Sequence, residues 1–311
     1  MASTTLFFLL LCSPTLSHAF DSASWSSFLW RRADTSRKVP EQGYYNPQAN
    51  GGSLLTQIPV TYPMGQGEPV NAIISGLSDT DVLVDSEVNG GLRNYFLSFG
   101  FSSECLGQKS VGNQKVDLGD GNGYQNETST IRWNYGDPAL GSCKETIQGG
   151  NHFRYWVQNG PLANSGAIFM AVSYELPLAR QHDIIPDGYN LGRDWLIGNI
   201  TQSSIPTRNL TDSSAYSGST SWAGYTYQTD IKYLPGLLQN TSDGINHNIT
   251  VGVDGINAVD GLVALFTVRI ATRPSNSPSS NAAWSNTPLQ LLKPATLVAA
   301  LSIPLLLSLC S

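Results

Sequence analysis

Two short apolar runs, one at each end, constrain this chain more than anything between them, because together they direct it out of the cytosol to fold. Residues 5–12, Thr-Leu-Phe-Phe-Leu-Leu-Leu-Cys, are too few to span a bilayer, and Ser17-His18-Ala19 places small residues around a cleavage point before Phe20. Residues 1–19 are therefore expected to be a secretory signal peptide, although its only positive charge is the α-amino group. At the other end, Ser280-Asn281-Ala282-Ala283 precedes a more polar stretch from Trp284 to Lys293 and an apolar run from Leu297 to Cys310. Small residues, polar spacer and apolar tail, in that order, predict a glycosylphosphatidylinositol (GPI) signal attached near Asn281, with 287–311 removed. The rival is a transmembrane helix, but Pro304 interrupts a run of about 14 residues where ~20 are needed. The expected address is extracellular, with the chain held to the outer leaflet of the plasma membrane by a lipid anchor, or in the cell wall.

That route decides how the cysteines are read. Cys12 leaves with the signal and Cys310 with the tail, so Cys105 and Cys143 are a lone pair in an oxidising compartment and are expected to form a disulfide. Neither CxxC nor a Cys-His spacing favours a thiol or metal role for them. Five N-x-[ST] sequons, at Asn126, Asn199, Asn209, Asn240 and Asn248, are candidate N-glycosylation sites. Four of them lie between 199 and 250, so that half is expected to carry most of the sugar.

Between the ends, residues 20–50 are Ser-, Arg- and Pro-rich and lack apolar periodicity, which predicts a linker or a propeptide ending at Arg31-Arg32. Residues 51–272 are expected to form one domain, and 273–286 a Ser/Asn/Pro stalk. Strands are expected at 54–60, 70–75, 129–134, 152–158, 166–174, 222–231, 248–253 and 261–271. Val88, Leu92, Tyr95, Phe96 and Phe99 share one helical face, with Asp85 or Ser86 as cap, and Gly90-Gly91 count against that helix. A second helix is expected from Asn190 to Asn199, with Leu191, Trp195 and Leu196 inward. The expected class is α+β: mainly antiparallel strands, two or three short helices packed on the sheet, and one disulfide. Only 13% of residues are charged, with 23 acids against 17 bases and no basic stripe, which excludes a nucleic-acid partner.

Several motifs between Pro69 and Leu196 share a pattern. They are Pro69-Val70-Asn71-Ala72-Ile73-Ile74-Ser75-Gly76, the helix ending Phe99-Gly100-Phe101, His152-Phe153-Arg154-Tyr155-Trp156, the strand Ile168 to Tyr174, His182-Asp183-Ile184 and Gly192-Arg193-Asp194. This block of about 130 residues resembles the LssY C-terminal-like domain of bacterial membrane-associated proteins. The chain also resembles uncharacterised fungal proteins predicted to be secreted and GPI-anchored. Cys105, the Asp117 to Asn126 turn and Cys143 lack a bacterial counterpart, and Gly192 replaces the acidic residue usual before Arg-Asp. The resemblance implies a fold and a secreted habit, and no established activity.

The candidate chemistry starts from strand periodicity, which puts His152, Arg154 and Trp156 on one face and Phe153 and Tyr155 on the other. His152 and Arg154, ~7 Å apart, could bracket an anion. His182, Asp183, Asp187, Arg193 and Asp194 follow closely and could converge on them. His152 or His182 would be the base, Asp183 or Asp194 its orienting carboxylate, and Arg154 the anion clamp. The alternative is a structural network of satisfied polar groups. A metal would need two of His152, His182 and His247 plus Asp183 or Asp194; with no HExxH or facial-triad spacing, no metal and no cofactor are expected. Asp117 to Gly123 fails the calcium-loop test, since Tyr124 and Gln125 stand where a ligand and Gly are needed, and is expected to be an exposed turn. No GxSxG elbow exists. Glycosidase chemistry would need two carboxylates across a cleft, which the sequence places nowhere. Trp222, Tyr225, Tyr227 and Tyr233 could stack on cell-wall glycan, or else pack in the core. The low charge, the sequons and the stalk favour a non-catalytic displayed glycoprotein, structural or ligand-binding. The alternative is a hydrolase-like enzyme acting on an anionic substrate.

Overall fold

Four strands of ten residues or more organise the molecule. The structure, a computed structural model, describes residues 36–108, 114–253 and 255–275. The expected signal peptide, Arg31-Arg32, Asn281 and the apolar tail lie outside them. In chain order the first elements are β1 (Ala72–Ile74), α1 (Leu92–Ser98), β2 (Phe101–Ser103), β3 (Lys115–Asp117), β4 (Tyr124–Asn126), β5 (Ser129–Trp133) and α2 (Gly141–Gln148). Next come β6 (Gly150–Asn159), β7 (Asn164–Glu175), α3 (Gly188–Thr201), β8 (Ala215–Trp222) and β9 (Tyr225–Leu234). The last are β10 (Asn240–Thr241), α4 (Asn248–Val251), β11 (Val259–Asp260) and β12 (Val263–Thr272). Eight strands form one sheet in the order β2-β5-β6-β7-β1-β12-β9-β8, antiparallel except for the parallel pair β1–β12. The class is α+β with the sheet dominant, and four helices are present among the described residues where two or three were expected.

The sheet is covered on both sides, and the period of two sorts its residues between them. Ala72, Ile74, Phe153, Tyr155, Ile168, Met170, Val172, Tyr227, Tyr233 and Phe266 face one core, packed by Leu92, Tyr95 and Phe96 of α1 and Leu196, Ile197 and Ile200 of α3. Ile73, Trp156, Ala167, Phe169, Ala171 and Leu265 face a second core, closed by Tyr44, Leu54, Val116 and Leu118. The stretch 36–50 therefore includes residues that lie on the sheet: Tyr44 meets Phe169 edge-on at 6.3 Å, and Gln158 exchanges hydrogen bonds with the Tyr45 backbone. An expected linker there is corrected for residues 38–50.

Other departures have local causes. The helix expected from Val88 starts at Leu92, because Asn89 and Gly90 take φ of 57° and 75° and Val88 is left exposed. Asp85 is no cap; it pairs with Arg93 at 2.6 Å and accepts the Tyr155 hydroxyl. The run 222–231 is split, because Ala223 and Gly224 at φ 49° and 81° reverse the chain as a two-residue hairpin turn. Residues 248–253 begin as α4 rather than as a strand, and 54–60 makes only isolated bridges. Helix α3 runs two residues further at each end than expected, and Leu191 points outward. Asp120 is fully buried rather than part of an exposed turn: its carboxylate accepts the backbone N–H groups of Asn122, Asn159 and Gly160, pinning the β6–β7 hairpin. Cys105 and Cys143 form the disulfide, joining the turn after β2 to α2.

Candidate functional site

Register across three strands assembles a polar cluster on the second face of the sheet. Arg132 of β5 stands opposite His152 of β6, which stands opposite Ser173 of β7. Two residues along, the strand period returns Arg154 and Glu175 to the same face. Glu145 reaches in from α2, and the disulfide at Cys143 holds that helix two residues away. Glu104 enters from the turn after β2, and Glu68 from the segment before β1. After β7 the chain passes through Gln181 and His182 with φ of 60° and 54°, and so brings His182 back over Glu175.

The contacts are close. Arg132 lies 2.9 Å from Glu145 Oε2, 3.4 Å from Glu104 and 3.6 Å from Glu175 Oε2. His152 Nε2 is 3.3 Å from Glu175 Oε1, 3.1 Å from the Arg154 guanidinium and 3.3 Å from Ser173 Oγ. His182 Nδ1 is 3.3 Å from Glu175 Oε2, and Arg154 is 3.4 Å from Glu68. Burial pushes the His152 imidazole down to about 3, so the ring is neutral. Burial pushes Glu145 up to about 7, Glu175 beside it adds to the effect, and Arg132 opposes it. Burial alone would also raise Glu175, but the His182 contact and the Arg132 and Arg154 guanidinium groups outweigh it and hold this carboxyl below its usual range. His182 is raised by its contact with Glu175.

Of the residues expected to meet here, His152, Arg154 and His182 do. Asp183 and Asp194 do not. Asp183 turns to His247 Nδ1 at 2.6 Å and to the Thr250 hydroxyl. Asp194 sits on α3, across the sheet, where it accepts the Tyr233 hydroxyl and both ends of the Arg193 guanidinium. Arg193 is wholly buried and also holds Asp260 at 2.7 Å and the Leu262 carbonyl. Asp187 precedes the first residue of α3 in left-handed backbone, makes no capping hydrogen bond with its side chain, and accepts from Asn190. The carboxylates that do serve the cluster are Glu68, Glu104, Glu145 and Glu175, none of them singled out from the sequence. Glu175 alone had a local signal: it shares a strand face with Ser173, two residues from the His152 partner.

The aromatic candidates resolve into packing. Tyr225, Tyr227 and Tyr233 are buried in the first core, and Tyr95 meets Tyr227 at 5.2 Å. Trp222, 38% exposed, ends an edge strand. No family model matches this chain, and neither a curated protein nor a solved structure does.

Proposed function

We propose that this chain is a secreted, GPI-anchored glycoprotein of the cell surface or wall, with an LssY C-terminal-like domain that is displayed rather than catalytic. The observation that supports the non-catalytic part of this reading is the complete burial of His152. A general base must come within hydrogen-bond reach of its substrate, and this imidazole is enclosed by Arg154, Ser173 and Glu175. The anion clamp assigned to Arg154 is also engaged, by Glu68 and by His152 itself. An acid–base enzyme built here would have to work through His182, whose side chain is 27% exposed. The disulfide supports folding in an oxidising compartment.

The test is release from intact cells by a phosphatidylinositol-specific phospholipase, followed by immunoblotting of the medium. Display predicts that the protein is shed. Retention on the cell, with a C-terminal tag still present on the mature chain, would rule the anchor out.

A further inference from the structure

Four carboxylates, Glu68, Glu104, Glu145 and Glu175, gather around two guanidinium groups, Arg132 and Arg154, with the imidazoles of His152 and His182 among them. Carboxylate oxygens beside imidazole nitrogen are a donor set that suits a metal cation.

The hydrogen bonds show where it would sit. Arg132 engages Oε2 of Glu145, while Glu145 Oε1 is fully buried with no partner. That oxygen lies over Gly150, the register partner of Glu175; a Cβ built there would be 3.6 Å away. His152 is frustrated too. If Nε2 accepts from Arg154, it presents a lone pair to Glu175 Oε1 at 3.3 Å, and the proton sits on Nδ1, which is buried without an acceptor. If Nε2 instead carries the proton, it donates toward Glu175 Oε1, and Nδ1 becomes a buried acceptor without a donor. Neither tautomer satisfies the ring. An Nε2···Oε1 separation of 3.3 Å is about what two ligands on one tetrahedral ion show. One ligand atom each from Glu145, His152 and Glu175 lie within 4.8 Å of one another. Drawing the wider of these separations in toward 3.3 Å would bring the three atoms to the ~2.0–2.2 Å of zinc–nitrogen and zinc–oxygen bonds.

We propose that Glu145, His152 and Glu175 bind one divalent transition-metal ion of the zinc class, with the partly exposed His182 as a fourth ligand on the solvent side. Imidazole with carboxylate selects such borderline ions over calcium or magnesium. Arg132 orients both carboxylates from the outer shell, through their Oε2 atoms. Four protein ligands make a closed, structural centre, tying α2, β6, β7 and the loop after β7 at one point. The proposal goes beyond display and stands whether or not the chain is anchored. It differs from the expectation of no metal because glutamates distant in sequence, rather than Asp183 or Asp194, supply the oxygens.

The test uses the full chain from a secreting host, stripped by a chelator and titrated with Zn²⁺ alone by calorimetry, with Co²⁺ substitution read by visible absorption. The expected result is one saturable equivalent, intense tetrahedral Co²⁺ bands, a raised Tm on metal addition, and affinity weakened about tenfold or more in Glu145→Gln and His182→Ala. His182→Ala removes a side chain at the surface and covers the case in which Glu145→Gln does not fold. Absence of saturable uptake, a weak octahedral Co²⁺ spectrum, or uptake unchanged in the folded variants overturns the proposal.

Discussion

Asp187 shows how a single buried carboxyl acquires an energetic sign. It occupies the left-handed region at φ 58° and accepts from Asn190, and burial raises its pKa, with Asp260 and Asp194 adding to the shift and Arg208 opposing it. A raised carboxyl pKa means that the unfolded chain ionises first as pH rises. Stability is undiminished below the unfolded value near 3.8, falls as pH climbs from there to the raised folded value, and stays reduced above it. Asn tolerates left-handed backbone and keeps an acceptor for Asn190. Asp187→Asn is therefore expected to raise Tm at neutral pH, with the gain shrinking to nothing near pH 3 in thermal melts. A variant equally stabilised at both pH values would contradict this. Arg193 is the opposite case: its buried charge is paired twice over, and removing one member of such a pair is strongly destabilising because the other is left buried and uncompensated.

Elements are held by close approach as much as by apolar burial. Helix α3 lies so near β7 that a Cβ on Gly192 would stand 2.7 Å from the Ser173 carbonyl carbon, and Asn151 donates to the Gly192 carbonyl at 2.6 Å. That close approach leaves no room for a side chain at the position before Arg193-Asp194. Gly192→Ala is expected to destabilise by ~1–3 kcal/mol through overpacking, against the ~1 kcal/mol an exposed helical site would gain; urea unfolding reads the sign. Helix α2 depends on a different restraint. The disulfide closes a separation of 38 residues, worth about 4 kcal/mol on the chain-entropy estimate. Reduction, or Cys105→Ser with Cys143→Ser, should lower the unfolding midpoint by a corresponding amount. Thiol titration of the denatured, unreduced mature protein should read zero.

Across the whole molecule, the sequons differ in what the fold allows. Asn126, Asn209 and Asn240 are exposed, whereas Asn199 lies on α3 with its Nδ2, the atom a sugar would take, buried and without a partner. Glycopeptide mass spectrometry is expected to find sugar on the three exposed sites and none on Asn199, so that Asn199→Gln leaves the mass of the glycoprotein unchanged except for the residue. A glycan at Asn199 would mean that α3 packs differently from the arrangement described. The sequence alone was enough for the α+β class, the Cys105–Cys143 pairing and the shared face of His152, Arg154 and Trp156, because each rests on a short-range period or on elimination among few residues. Strand β8 was not legible, since Ala215 to Trp222 is a polar edge strand with little apolar alternation. The composition of the cluster was not legible either. Glu68, Glu104, Glu145 and Glu175 are scattered along the chain, and only strand register and the packing of α2 bring them to one polar cluster, while the thickness of the sheet separates Asp194 from it. Local pattern decides which face a residue takes. Which residues from distant segments share that face is decided by pairing and packing, which have no signature in any one stretch of sequence.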